Sequence, residues 1–160
     1  QDDNEAVKWY RLAADQGDGD AQFNLGLMYS EGQGVPQDDN EAVKWFHLAA
    51  DQGDADGRFN LGLMYSEGQG VQKDYKKAVK WYRLAADQGD AQAQYNLGLM
   101  YSEGQGVQQD YPLAYMWWNL CDSNVHKDAI HNRNILEENM TPQQIEKAQG
   151  MLRNWKPKTK

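Results

Sequence analysis

The sequence predicts an all-α array of stacked helix pairs, and three observations predict it. The segment Asn-Leu-Gly-Leu-Met-Tyr-Ser-Glu-Gly-Gln-Gly-Val begins at Asn24, Asn60 and Asn96, a period of 36 residues. In step with it, Ala-Val-Lys-Trp recurs at Ala6, Ala42 and Ala78, and Ala-Tyr-Met-Trp follows at Ala114. A period of this length marks one supersecondary unit, too small to bury its apolar face alone and completed by its neighbours. Helical stripes and helix-terminating glycines within each unit supply the second and third observations.

The elements follow in order. An opening half repeat over residues 1–17 carries one helix, with Asp2 and Glu5 arranged as a capping box. Full repeats over about 18–53, 54–89 and 90–122 each carry two. The first helix of each places Ala21, Leu25 and Tyr29 in one row, with Phe23 and Leu27 in a neighbouring row. Gly26, Gly62 and Gly98 lie inside these helices, where glycine costs about 1 kcal/mol against alanine, so a neighbour is expected to cross too closely for a side chain. A tight Ser-Glu-Gly-Gln-Gly loop follows, from which Val35 drops back onto the core. The second helix opens on Asp38 with Glu41 three residues on, a capping box in which each side chain takes a backbone N–H at the helix start. Ala42, Trp45, Phe46, Ala49 and Ala50 then form its buried stripe. Gly17, Gly53 and Gly89 end these helices, each where a left-handed residue is needed.

The ends differ from the middle. The half repeat leaves Trp9, Tyr10 and Ala13 without a covering helix, so this exposed face is expected to be covered by chain further upstream or to pack on another molecule, a second copy included. Residues 123–155 read as capping helices. The first, His126 to Leu136, is polar and has Arg133-Asn134 where the repeats have Leu-Gly. The last opens at Thr141-Pro142-Gln143-Gln144, a capping box with proline at the first helical position, and carries Ile145, Ala148, Leu152 and Trp155 on one face. Residues 156–160 read as a frayed tail.

Of the 160 residues, 40% are hydrophobic, and no stretch approaches the ~20 consecutive apolar residues of a membrane helix. The chain opens Gln1-Asp2-Asp3-Asn4 without a leader's basic and apolar regions, so it is expected to be cytoplasmic or to have lost a leader. The net charge of −8 is uneven: counting Asp, Glu, Lys and Arg, residues 1–20 carry −4 and 21–56 carry −6, against +3 for 129–160. That acidity disfavours a phosphate backbone and favours a basic or neutral polypeptide. The single cysteine, Cys121, cannot form an intrachain bridge and reads as a small core residue.

Chemistry is harder to find. His126 and His131 are five apart, a separation that points them to different helix faces, so no metal site is expected. His47 stands where the other units have Arg11 and Arg83, an ordinary surface position. Ser30, Ser66, Ser102 and Ser123 belong to neither a Gly-x-Ser-x-Gly elbow nor a Ser-x-x-Lys motif. The Gly-x-Gly loop has no Gly-Lys-Ser/Thr ending and no preceding strand, so it reads as a turn. Asp38, Asp74 and Asp110 sit where helix dipoles favour a carboxylate. No cofactor is expected.

Leu-Gly-x-x-Tyr, the Gly-x-Gly-Val loop with its following Asp, and Ala-x-x-Trp…Ala-Ala…Gly together resemble the Sel1-like repeat, a relative of the tetratricopeptide repeat, over roughly residues 1–122. The resemblance implies a right-handed α-α superhelix (solenoid) with a concave inner surface, a non-catalytic adaptor or docking role, and frequent occurrence in bacteria, exported or cytoplasmic. It implies that the first helix of each unit lines the groove. Asn24, Asn60 and Asn96 would then grip a peptide main chain, flanked by Phe23, Phe59 and Tyr95 with Leu27, Leu63 and Leu99. Against this stands a structural reading, in which each Asn ties neighbouring helices together and the aromatics are core. Another class also stands open: a hydrolase acting on cell-wall or β-lactam-type substrates, since some cysteine-rich relatives are linked to penicillin binding. The paired cysteines of those relatives are absent here. A third reading is a spacer with no ligand of its own.

Overall fold

Nine α-helices and no strand make up the described residues, 3–121 and 127–158, of the computed structural model. They are α1 (Asp3–Asp15), α2 (Gly19–Glu31), α3 (Asp39–Asp51), α4 (Ala55–Glu67), α5 (Tyr75–Asp87), α6 (Ala91–Glu103), α7 (Tyr111–Leu120), α8 (Lys127–Glu138) and α9 (Pro142–Asn154). Several expectations fall on positions outside the described residues: Asp2 of the first capping box, Ser123, His126 and the end of the tail.

The described residues up to Ala78 form one compact unit and those from Val79 onward a second, the boundary falling inside α5. In the first unit each helix packs on the next in sequence, α1 on α2, α2 on α3 and α3 on α4. Its core gathers Val7, Ala14, Ala21, Leu25 and Met28, with Val35 and Trp45 packed against them. The α3 stripe behaves as its spacing requires: Ala42, Phe46, Ala49 and Ala50 are buried and Trp45 is half-buried. In the second unit α6, α8 and α9 all pack on α7, whose Tyr115, Met116, Trp117 and Trp118 are buried.

Caps set the helix ends. Asp18, Asp54 and Asp90 each precede a first-type helix and accept from the amides of Ala21, Gly57 and Ala93 at 2.6–2.7 Å. Asp38 accepts from the amides of Asn40 and Glu41. The reciprocal half of that expected capping box does not form: the Asp38 amide donates to the Tyr29 carbonyl at 2.9 Å, and the Glu41 carboxylate pairs with Lys44 one turn on. The Thr141–Gln144 box is complete. Gly53 has φ 93°, and Gly17 and Gly89 turn the same way.

The interior glycines are closed in on by rings. A Cβ on Gly26 would lie 2.6 Å from Phe46 Cδ1, and one on Gly98 would run into the Trp118 indole. The expected close approach is therefore made by an aromatic side chain twenty residues downstream. Trp118 Nε1 donates to the Tyr95 carbonyl at 3.1 Å, which fixes its ring over the glycine.

Of the three residues expected to lie open, Trp9 is 65% exposed and Tyr10 37%, whereas Ala13 is half-buried against the core. At the other end fraying does not extend to Lys158, whose amide donates to the Asp87 carbonyl at 2.6 Å and whose Nζ lies 2.7 Å from the Asp87 carboxylate.

Candidate functional site

The nine residues singled out from the sequence occupy one kind of position. In α2, Phe23, Asn24 and Leu27 are half-buried, while Leu25 between them is fully buried. Phe59, Asn60 and Leu63 repeat this in α4 around Leu61, as do Tyr95, Asn96 and Leu99 in α6 around Leu97. Two residues of offset on a 3.6-residue helix turn the chain from core to rim, so each first-type helix presents the same amide between apolar neighbours. The aromatics are divided between roles: the Phe23 ring lies 5.9 Å from that of Phe46, tilted by 41°, with part of its surface open.

Asn24 and Asn60 turn their amide N–H groups to their own helices. Asn24 Nδ2 donates to the Asp20 carbonyl at 2.7 Å and Asn60 Nδ2 to the Asp56 carbonyl at 2.9 Å, each one turn back in its own helix. Ties come from a position the sequence reading passed over. Gln22 Nε2 donates to the Ala14 carbonyl at 3.2 Å, Arg58 Nε to that of Ala50 at 3.1 Å, and Gln94 Nε2 to that of Ala86 at 3.2 Å. The acceptors belong to the last turns of α1, α3 and α5, and each also accepts from the glycine amide three residues on, Gly17, Gly53 and Gly89, at 3.0 Å. Gln22 and Gln94 are buried at 4% and 2% exposure. Their signal was the polar residue recurring every 36 positions beside a buried alanine.

A second pairing corrects the reading of Arg11 and Arg83 as ordinary surface residues. Each donates to a tyrosine hydroxyl eighteen residues on, Tyr29 and Tyr101, with its guanidinium over that ring. Arg83 also stacks on Trp117. His47, in the corresponding place, lies 3.8 Å from Asp51, and Lys77 takes the Tyr65 ring.

In the second unit a pocket of about 370 Å³ opens between α6, α7 and α8. Leu99 and Glu103 from α6, Trp118 from α7, and Asn132, Ile135 and Leu136 from α8 line it. Asn132 and Ile135 lie one period beyond Asn96 and Leu99. The signal was the period itself: Arg133-Asn134 in place of Leu-Gly already gave the register, and one further step of 36 from Asn96 and Leu99 leads to Asn132 and Ile135. Arg133 itself turns aside, its Nη1 donating to Asn119 Oδ1 at 3.1 Å.

Among the described residues no group of three or more His, Cys, Asp or Glu side chains is placed to hold a metal ion, and no helix is long and apolar enough to cross a membrane. Cys121 is buried, and burial, with the Asp90 charge adding to it, pushes its thiol up to about 12.

The Sel1 repeat profile matches residues 1–18, 19–54, 55–90 and 91–120. Two crystal structures are similar. One is a protective antigen of uropathogenic Escherichia coli strains displaying an SLR fold, 30% identical, with a TM-score of 0.70 over 93% of this chain. This chain spans only 40% of that protein's length. The other is a Sel1 repeat protein from Oxalobacter formigenes, 32% identical, with a TM-score of 0.71, covering 89% of this chain and 68% of that one. Comparison with curated proteins gives no match.

Proposed function

The chain belongs to the Sel1 repeat family and has its SLR fold, and from that premise we propose that it is a non-catalytic protein-interaction module that receives an extended peptide segment of a partner. The observation that carries this reading is the recurrence, on α2, α4 and α6, of one half-buried triplet: an aromatic ring, an asparagine amide and a leucine. A catalytic group has no reason to recur every period, whereas a surface that reads a regular main chain does.

Chemistry and charge agree with it. An asparagine that spends one N–H on its own helix keeps an acceptor and a second donor in its inventory, enough to pair with a peptide unit whatever its side chain. Half-buried Leu27, Leu63 and Leu99 supply apolar contact beside it. The net charge of −8 favours a basic segment and speeds encounter with it.

A photo-crosslinking amino acid placed at Leu27 or Leu63 should capture the partner from the native source. The same group at Leu48, an exposed position on α3, should not. Equal capture from Leu48, or none from Leu27 and Leu63, overturns the reading.

A further inference from the structure

The pocket between α6 and α8 is the place where the docking face takes its anchor. It rests on the reading above, because Leu99 is the α6 member of the recurring triplet, and Asn132 and Ile135 of the same unit stand one period on in the capping helix. The geometry points to one large apolar side chain of the partner, adjacent to a lysine or arginine, as its occupant.

The floor sets the first requirement. Trp118 and Leu136 are buried beneath the opening, Leu99 is half-buried, and Ile135 stands 49% exposed at its edge. Apolar surface gathered in a concavity gains by being covered, at roughly 25 cal/mol per Å² removed from water. A volume of about 370 Å³ is at the small end of ligand sites, which run from about 300 to 1,000 Å³. It suits a single anchoring side chain better than a long ligand.

The rim sets the second. Ser102 Oγ donates to the Leu99 carbonyl at 2.8 Å, and Asn139 Nδ2 to the Ile135 carbonyl at 2.8 Å, so both are turned to their own helices. Glu103 is the charged group left at the opening. Its carboxylate takes the neutral Gln105 amide at 2.7 Å and, among the described residues, no cation pairs with it. A lysine or arginine beside the anchor would meet that exposed charge at the rim.

The test is a titration of the full chain, followed by amide and indole N–H resonances, with the capped peptide acetyl-Gly-Phe-Lys-Gly-amide. Saturable shifts are expected at Leu99, Glu103 and Ile135 and at the Trp118 indole. Replacing the peptide's Phe by Ala should weaken binding roughly tenfold, and replacing its Lys by Glu at least about fivefold. Ile135→Glu should abolish binding, and Glu103→Lys should reverse the preference between the Lys and Glu peptides; both positions are exposed, and circular dichroism checks that the variants fold. No saturable shift, shifts centred elsewhere, or equal binding of the Lys and Glu peptides overturns the assignment. A natural partner that crosslinks from Leu63 yet ignores Ile135→Glu overturns the pocket alone and leaves the docking face standing.

Discussion

The Phe46 ring of α3 closes on α2 at Gly26, so closely that a single added carbon would sit 2.6 Å from its Cδ1. Sequence spacing makes this a repeat-level joint, since Trp118 meets Gly98 at the same twenty-residue separation in the second unit. Gly26→Ala should therefore destabilise, even though alanine gains about 1 kcal/mol in helix propensity, because overpacking costs about 1–3 kcal/mol. Gly150 is the control: it too lies inside a helix, but an added Cβ would meet only Arg153 Nη2 at 3.8 Å. Urea unfolding should show Gly150→Ala stabilised by up to about 1 kcal/mol and Gly26→Ala weakened. Equal effects at the two sites would remove the joint.

How much of this was legible in the sequence follows from which forces act locally. The α3 stripe and the glycine turns were, because helix period and backbone stereochemistry act within a few residues of Ala42 and Gly53. What closes on Gly26 was not, because Phe46 arrives from the next helix and its own stripe marks it only as core. The Asp38–Glu41 box was read as reciprocal, but the Asp38 amide the glutamate would have taken goes to the Tyr29 carbonyl of the preceding helix. At the candidate site the period found Asn24, Asn60 and Asn96. It missed Asn132 and Ile135 although Arg133-Asn134 marks their register, because a polar terminal helix reads as a cap facing water. The asparagines' own bonds were equally out of reach, as nothing in spacing distinguishes a carbonyl in the same helix from one in a neighbour.

Gln22 is a structural residue in a way Asn24, two positions on, is not. Buried, it donates to the last turn of α1 and accepts from Gln52 Nε2 at 2.7 Å. Gln22→Leu keeps the volume but removes one of the two donors to the Ala14 carbonyl, which keeps the Gly17 amide at 3.0 Å, and removes the acceptor of Gln52, a loss of about 0.5–1.5 kcal/mol. Gln94→Leu should cost a similar amount through Ala86. Gln33, whose exposed amide meets only Glu31, can be changed to leucine within about 0.5 kcal/mol. Thermal melts of the three variants check the ordering, and a Gln22→Leu chain as stable as Gln33→Leu would count against the tie.

Asn60→Ala separates binding from folding. The asparagine's bond to the Asp56 carbonyl is exposed and intrahelical, so its loss leaves no buried group unpaired, and alanine is the better helix former by up to about 0.7 kcal/mol. Melting should hold or rise slightly. Affinity for the partner should fall by about 1–3 kcal/mol, the cost of an interface polar group losing its mate. A melting drop larger than about 1 kcal/mol with unchanged affinity would make the residue structural and leave the docking face without its amide.

Cys121 gives the chain a pH dependence with a defined sign. Burial favours the neutral thiol and raises it from the ordinary value of 9.0 to about 12. Between those values the unfolded chain has released a proton that the folded chain still holds, so the slope of unfolding free energy with pH is negative there. The stabilisation tied to this group is fully present below pH 9.0 and lost as pH rises toward about 12. Cys121→Ala should remove that component, so the two stability curves converge on the alkaline side after differing at pH 7. At pH 8 the native thiol should resist a thiol-specific aromatic disulfide reagent and react only as fast as the chain opens, because a buried neutral thiol is no nucleophile. Prompt modification of the folded protein at pH 8 would show that the thiol is reachable and ionised, and the alkaline convergence should then disappear as well.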